Sequence, residues 1–366
     1  MRISLLEKRE DFYKILDDTL RSHNFHNDEI SSRIYVVNKY LNFIATKDLD
    51  RSSFQTLINE YSSSLNFWTK IPQAFYVRLA TSIIFRSFFS HKMIKMDISF
   101  QNYLILGGNH RLRLFSKDLG YSLLLLKKNE RSNYIENDIA VRTNQFLTYA
   151  PIIYEKGQNW IKEEYFNGIP LNRLANKKEI YYWQSKVIKS HLDQLLFLTK
   201  NICTTKEYKN IINSEIKTIT SSNTLQKTAL AKSKIIAVFD LLFRELSIDH
   251  ISISWSHGDF QMANILVKEN IFKVIDWESA NKRYYLYDIY TLIGGFRSGV
   301  QLKKSIEVFK NKASSFLNVE VTYDMIILLL IEELRYSLNE EYSENFYVSG
   351  LKTKEICDAI QDYLNE

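Results

Sequence analysis

The chain's most informative stretch is Ser256-His257-Gly258-Asp259-Phe260-Gln261-Met262-Ala263-Asn264-Ile265-Leu266, with Asp276 following in Ile275-Asp276-Trp277-Glu278. The apolar run Ile251 to Trp255 reads as a strand leading into it. Ile265-Leu266-Val267 and Ile271 to Ile275, turning at Lys268-Glu269-Asn270, read as a hairpin that carries the chain to Asp276. This order places Asp259, Asn264 and Asp276 around one loop mouth. Phosphoryl transfer needs such a set. One carboxylate orients or deprotonates an acceptor hydroxyl, and hard oxygen ligands hold Mg2+ against the phosphate chain. His-x-Asp with Asn five residues beyond the Asp, then an Asp closing the next hairpin, is the spacing that chemistry uses.

Working outward from this loop, short apolar runs occur at 103–106, 111–115 and 122–126. Gly107-Gly108-Asn109 and Lys117-Asp118-Leu119-Gly120 separate them, as expected of a three-stranded meander. A helical segment spans about 137–147. Pro151 to Tyr154 and Trp160 to Phe166 read as two further strands around Gly157, and Asn167-Gly168-Ile169-Pro170 breaks the pattern. The periodicity is helical from about 171 to 248 and again beyond 284, where Met325 to Ile331 is strongly apolar. Residues 1–95 read as a helical extension. The expected organisation is therefore an extension (1–95), a small sheet-rich lobe (96–168) and a larger helical lobe (169–366). The last carries the loop 256–264 and the segment 275–278.

Composition bounds the reading. Hydrophobic residues make 45% and charged residues 25% of the 366, with only 10 Gly and 3 Pro, which is a globular balance. The net charge of +6 is spread along the chain, and no basic stripe or tail of the nucleic-acid-binding kind is present. Two distant cysteines, Cys203 and Cys357, fit neither a disulfide framework nor a zinc spacing. No apolar run is long enough to span a bilayer, and the charged N-terminus lacks a signal-peptide core. The expectation is a cytoplasmic protein.

With Gly258 before Asp259, Asp276-Trp277-Glu278 in place of Asp-Phe-Gly, and Asn264-Ile265-Leu266 closing the loop, the chain resembles the aminoglycoside phosphotransferase and choline kinase family over about residues 100–300. The resemblance implies an α+β, bilobal protein-kinase-like fold, with a small antiparallel-sheet lobe and a larger helical lobe. It also implies ATP (or GTP) with Mg2+, and a small-molecule hydroxyl acceptor. In that frame Asp259 is the catalytic carboxylate, and Asn264 and Asp276 are the metal ligands. Gly107 and Gly108 form the turn over the phosphates. The strand-end pair Lys127-Lys128 supplies the phosphate-contacting lysine, with Lys127 preferred. Glu136 is its acidic partner, with Asp138 as the alternative. Glu164, Tyr165 and Phe166 belong to the adenine hinge, His257 is structural, and Asp288 braces the catalytic loop.

Two alternatives accompany this reading. One is a kinase acting on a sugar of a surface glycan or of its lipid-linked precursor. The other is a catalytically silent, kinase-like binding module. Within 71–89, Ile71, Phe75, Leu79 and Ile83 recur at helical intervals beside Ala80, Ile84 and Phe88, flanked by Arg78 and Arg86. Such a face is expected to pack on the small lobe, with peripheral membrane contact as the alternative.

Overall fold

The computed structural model describes residues 16–23, 33–55, 57–58, 67–96, 102–108, 110–116, 120–128, 130–145, 147–221, 229–296, 300–341 and 351–365. The chain divides into two compact units, residues 1–181 with 262–278, and residues 182–261 with 279–366.

The first unit is built on an eight-stranded antiparallel sheet. Its strands are β1 (Arg33–Asn38), β2 (Phe43–Thr46), β3 (Lys92–Met96), β4 (Leu104–Gly107), β5 (Arg111–Ser116), β6 (Tyr121–Leu126), β7 (Ile153–Lys156) and β8 (Trp160–Glu164). They lie in the order β3-β1-β2-β4-β5-β6-β8-β7. The expected meander is the β4-β5-β6 run. Residues 1–95 are not simply helical, since β1, β2 and β3 join the same sheet. Ile34-Tyr35-Val36-Val37 is a β-branched and aromatic run that suits a pleated, half-buried surface, and β2 returns antiparallel to it after a turn at 39–42. The described helices of this stretch are α1 (Leu16–Ser22) and α2 (Phe67–Ala80).

Side chains alternate across the sheet. One face carries Tyr35, Val37, Ile44, Ile105, Leu112, Leu114, Leu123 and Leu125, and packs on Leu16 and Leu20 of α1. The opposite face carries Val36, Phe43, Ala45 and Leu104 against Val77 and Ala80 of α2. Further along it, Leu124, Leu126 and Ile161 pack on Tyr134 and Ile135 of α3 (Asn133–Gln145). Between these two apolar patches the same face turns polar, at Arg111, Arg113, Ser122 and Glu163.

The apolar side chains expected to pack from 71–89 do not all do so. Val77 and Ala80 are buried, but Phe75, Ile84 and Phe88 are 64%, 81% and 82% exposed. Arg86, expected on a basic flank, is buried instead. Its guanidinium donates to the carbonyls of Thr46, Lys47, Leu49 and Thr81 and lies over the Phe54 ring. Four carbonyl acceptors outweigh solvation for a group that is otherwise rarely buried.

A small sheet completes the first unit. β9 (Ile169–Pro170) and β13 (Ile271–Val274) flank β12 (Ile265–Lys268). The β12–β13 hairpin closes through Glu269 in the left-handed region, with φ 54°.

The second unit is mainly helical. Its elements are α4 (Lys177–His191, whose first turn belongs to the first unit), α5 (Thr205–Ser221), α6 (Ala229–Glu245), α7 (Tyr287–Gly294), α8 (Leu302–Leu317), α9 (Tyr323–Glu341) and α10 (Leu351–Leu364). A three-stranded sheet sits among them, with β10 (Asn201–Thr204) and β14 (Asn281–Tyr284) on either side of β11 (His250–Ser256). The apolar run in α9 is buried from Ile326 to Ile331. Among the described residues no helix is long and apolar enough to cross a membrane.

Candidate active site

The β12–β13 hairpin brings Asn264 and Asp276 together. Ile265 pairs with Val274, and the Ile275 N–H donates to the Asn264 carbonyl at 2.9 Å, so both residues emerge at the open end of one ladder. Asn264 ends a single 3-10 turn, Met262–Asn264. On the other strand, the Val274 N–H donates to Tyr149 O at 2.7 Å, and the buried Trp277 donates its indole N–H to Val274 O at 2.8 Å. Asp276 lies between these anchors with φ 71°, a left-handed conformation that costs a non-glycine residue free energy and clusters at functional sites.

The Asp276 carboxylate meets two arginines. Arg113 forms an ion pair with its Oδ1, and the Arg111 Nη2 lies 3.4 Å from the same atom. Arg111 is sealed from solvent. It also donates to Glu278 at 3.2 Å and to Asp138 of α3 at 2.5 Å. Asp138 in turn accepts from Arg142, which reaches Glu163 of β8 at 2.6 Å. Burial pushes the Glu278 carboxyl up, the neighbouring charge of Asp276 adds to that, and Arg111 opposes both. Burial alone would lower the Arg111 pKa, but Asp138, Glu278 and Asp276 together raise it.

Arg113 opens onto a cavity of about 240 Å³ on the polar part of the sheet face. Leu106 and Phe115 form part of one wall, Glu164 to Phe166 another, and Asn264 and Leu266 a third. Gly168 sits where a Cβ would come within 2.9 Å of the Leu266 Cβ, so the chain after Phe166 can lie close against β12.

The other expected residues fall as follows. The Gly108 N–H donates to Arg111 O at 2.9 Å, and a Cβ there would lie 2.8 Å from that oxygen, so the turn after Gly107 requires glycine. Lys127 is buried, but its ammonium donates to the Gly108 carbonyl at 2.7 Å. Lys128 is exposed beside Asp18. Glu136 is exposed in the first turn of α3. The expected lysine–acid pair therefore does not form with Glu136. The buried acid of α3 is Asp138, and it pairs with Arg111 and Arg142. β6 ends at Leu126, as expected, and Lys127 just beyond it turns to the Gly108 carbonyl rather than to Glu136. In the segment expected to form the hinge, Glu164 binds Lys273 at 3.0 Å, and the Tyr165 N–H is taken by Gly120 O at 3.1 Å. Phe166 lines the cavity.

Asp259 lies in the second unit, five residues before Asn264 along the chain. It is half-buried and accepts from the Gln261 side-chain amide at 3.0 Å. Its loop is held by Asp288, in the first turn of α7. Asp288 accepts from the backbone N–H groups of His257 and Gly258, from Ser256 Oγ and from His191 Nε2, at 2.7–3.0 Å. Burial would raise the Asp288 pKa. The hydrogen bond to His191, the nearby imidazoles and Ser256 overcome that and bring it down to about 2. Gly258 has φ 82°, and a Cβ there would run into the Ser279 carbonyl. His257 is fully buried near Phe260, and its Nδ1 accepts from the Asp259 N–H at 3.3 Å.

Sequence reasoning missed Arg111, Arg113, Arg142 and His191, and it placed Glu163 at the start of the hinge, not in this cluster. The signal available for the first two was the i, i+2 recurrence of arginine in an otherwise apolar strand. Among the described residues no three His, Cys, Asp or Glu side chains gather as a metal site. The donor set nevertheless suits Mg2+, which takes one or two carboxylates and completes its shell with water and substrate oxygens. Asn264 and Asp276 would hold it. The surrounding cluster sets four carboxyl groups (Asp138, Glu163, Asp276, Glu278) against three guanidinium groups.

Solved structures similar to this chain include an aminoglycoside phosphotransferase and choline and ethanolamine kinases. A thermostable mutant of aminoglycoside phosphotransferase APH(4)-Ia is 13% identical with TM-score 0.48, covering 72% of this chain and 95% of its own. Choline kinase LicA from Streptococcus pneumoniae is 14% identical with TM-score 0.46, covering 70% and 92%. Ethanolamine kinase from Plasmodium vivax is 16% identical with TM-score 0.44, covering 86% and 94%. No protein-family model and no curated protein matches the chain.

Proposed function

We propose that this protein is a Mg2+- and ATP-dependent small-molecule kinase that phosphorylates a hydroxyl group. The observation that carries the reading is the hairpin mouth. Asn264 and Asp276 sit together there, with Asp276 in a left-handed backbone beside a cavity walled by 164–166. Bound Mg2+ would neutralise the phosphate oxygens and favour departure of ADP. Asn264 and Asp276 would supply its protein ligands. The hinge 164–166 would border the base, with Leu106, Phe115 and Leu266 as apolar walls for it. Asp259 orients the acceptor hydroxyl and takes its proton as the oxygen attacks the γ-phosphorus and the bond to the ADP oxygen breaks. Asp288 keeps the loop in shape for that task by accepting two of its N–H groups.

The acceptor is a small alcohol of the amino-alcohol, aminoglycoside or sugar kind. Incubation with ATP and Mg2+ against a panel of choline, ethanolamine, aminoglycosides and sugars tests this. One acceptor should gain a phosphoryl group by mass spectrometry, with ADP released in equal amount. Nucleotide binding that ignores Mg2+, together with no transfer to any acceptor, would favour a silent binding module instead.

A further inference from the structure

We infer that Arg113 is the cation that meets the nucleotide's phosphate chain, and that Arg111 behind it is the positioning residue. This rests on the kinase reading above.

Arg111 and Arg113 alternate with Leu112 and Leu114 on β5, so both guanidinium groups share a sheet face with Leu124 and Leu126, their cross-strand neighbours. Two inward arginines on a buried strand carry a large desolvation cost, which the carboxylates of the cluster offset. The two are not equivalent. Arg111 is 0% exposed and is shared among Asp138, Glu278 and Asp276, leaving it no face toward a ligand. The Arg113 side chain is 19% exposed, lines the cavity, and touches Asp276, the expected metal ligand. Phosphates drawn to Asp276 through a metal would therefore arrive beside Arg113.

The lysines expected for this role are placed elsewhere. The Lys127 ammonium is bound to the Gly108 carbonyl, and Lys128 faces Asp18. Among the described residues lining the cavity, the cations are Arg113 and Arg173, and only Arg113 pairs with Asp276. A guanidinium suits the task, because its planar fork can take two phosphate oxygens at once while keeping its charge.

Calorimetric titration of the intact protein with ATP, ADP and adenosine tests the assignment. In Arg113→Met, ATP affinity should fall by about tenfold to a hundredfold while adenosine affinity stays at the wild-type value. The loss should persist in EDTA, since Arg113 meets phosphate oxygens directly. Arg113→Lys should fall between wild type and Met, and it carries the test if the Met variant does not fold. Unchanged ATP affinity, an equal loss for adenosine, or a loss seen only with Mg2+ would overturn the inference. So would a loss in Arg173→Met with none in Arg113→Met. If the wild-type protein bound none of the three, the kinase reading would fall and take the inference with it. Wild-type binding with an indifferent Arg113 variant would remove the inference alone.

Discussion

Each unit of this protein buries a cluster of arginines and carboxylates, and the two clusters differ in kind. In the second unit, Glu332 of α9 is sealed between Arg283 and Arg335. It also accepts from Tyr208 and from the Tyr284 N–H, while Arg335 donates to Lys282 O. The cluster staples β14 to α9, with Glu332 accepting from both strand and helix neighbours. In the first unit, the cluster runs from a sealed Arg111 to Arg113 and Asp276, whose side chains are 19% and 24% exposed. It ends at a left-handed Asp276 on the hairpin beside a cavity. Both clusters pay for desolvation with ion pairs, so buried charge alone does not mark a site. Strain and an opening onto a cavity distinguish the cluster proposed as the site.

That contrast can be broken by experiment, and the largest effect lies on the chemistry. Asp259→Asn should lower turnover by about 10²–10⁴-fold, the usual worth of a positioned acid–base group, with ATP affinity and melting temperature held. Wild-type turnover in this variant would remove Asp259 from the mechanism. Glu332→Ala addresses the structural cluster. Leaving Arg283 and Arg335 without their shared carboxylate should cost about 3–5 kcal/mol in denaturant unfolding. A loss below about 1 kcal/mol, the range of an exposed ion pair, would show that this cluster is not a staple.

Asp288 yields a pH dependence. Its folded pKa of about 2 lies below the ordinary aspartate value of 3.8. It therefore contributes stability above the unfolded pKa that is lost as pH falls through the folded one. The unfolding free energy of wild type minus that of Asp288→Asn should shrink by about 2 kcal/mol between pH 4 and pH 2. A difference constant over that window would mean that Asp288 is not held charged by its loop. The smallest effect is expected on the exposed apolar surface. Phe88→Ser should change stability by no more than about 0.5 kcal/mol in denaturant unfolding, and a larger loss would mean that this ring is covered in solution.

The parts legible in the sequence are those coded locally. Asn264 and Asp276 are joined by one hairpin, so their spacing alone predicted their meeting. The β4-β5-β6 run was marked by its glycine turns. The arginine cluster was not legible in the same way, because Arg111 and Asp276 are 165 residues apart and meet only through the fold. Arg111-Leu112-Arg113-Leu114 suggests charges facing solvent and leucines facing the core, yet both faces of this sheet are covered. Lys127 was placed by resemblance at the end of a strand that does end at Leu126, but its partner, the Gly108 carbonyl, is not displayed by the sequence. β1 escaped because Ile34 to Val37 lies in a stretch whose composition reads as helical. Arg86 escaped because its four acceptors are carbonyls, which sequence does not display.

The most direct test of the account is ATP titration into wild type and Asp276→Ala, each with Mg2+ and with EDTA. Wild type should bind ATP more tightly with Mg2+, and the variant should lose that difference while keeping its fold. Equal Mg2+-ATP affinity in the two proteins would contradict the placement of the metal and the phosphates at this hairpin.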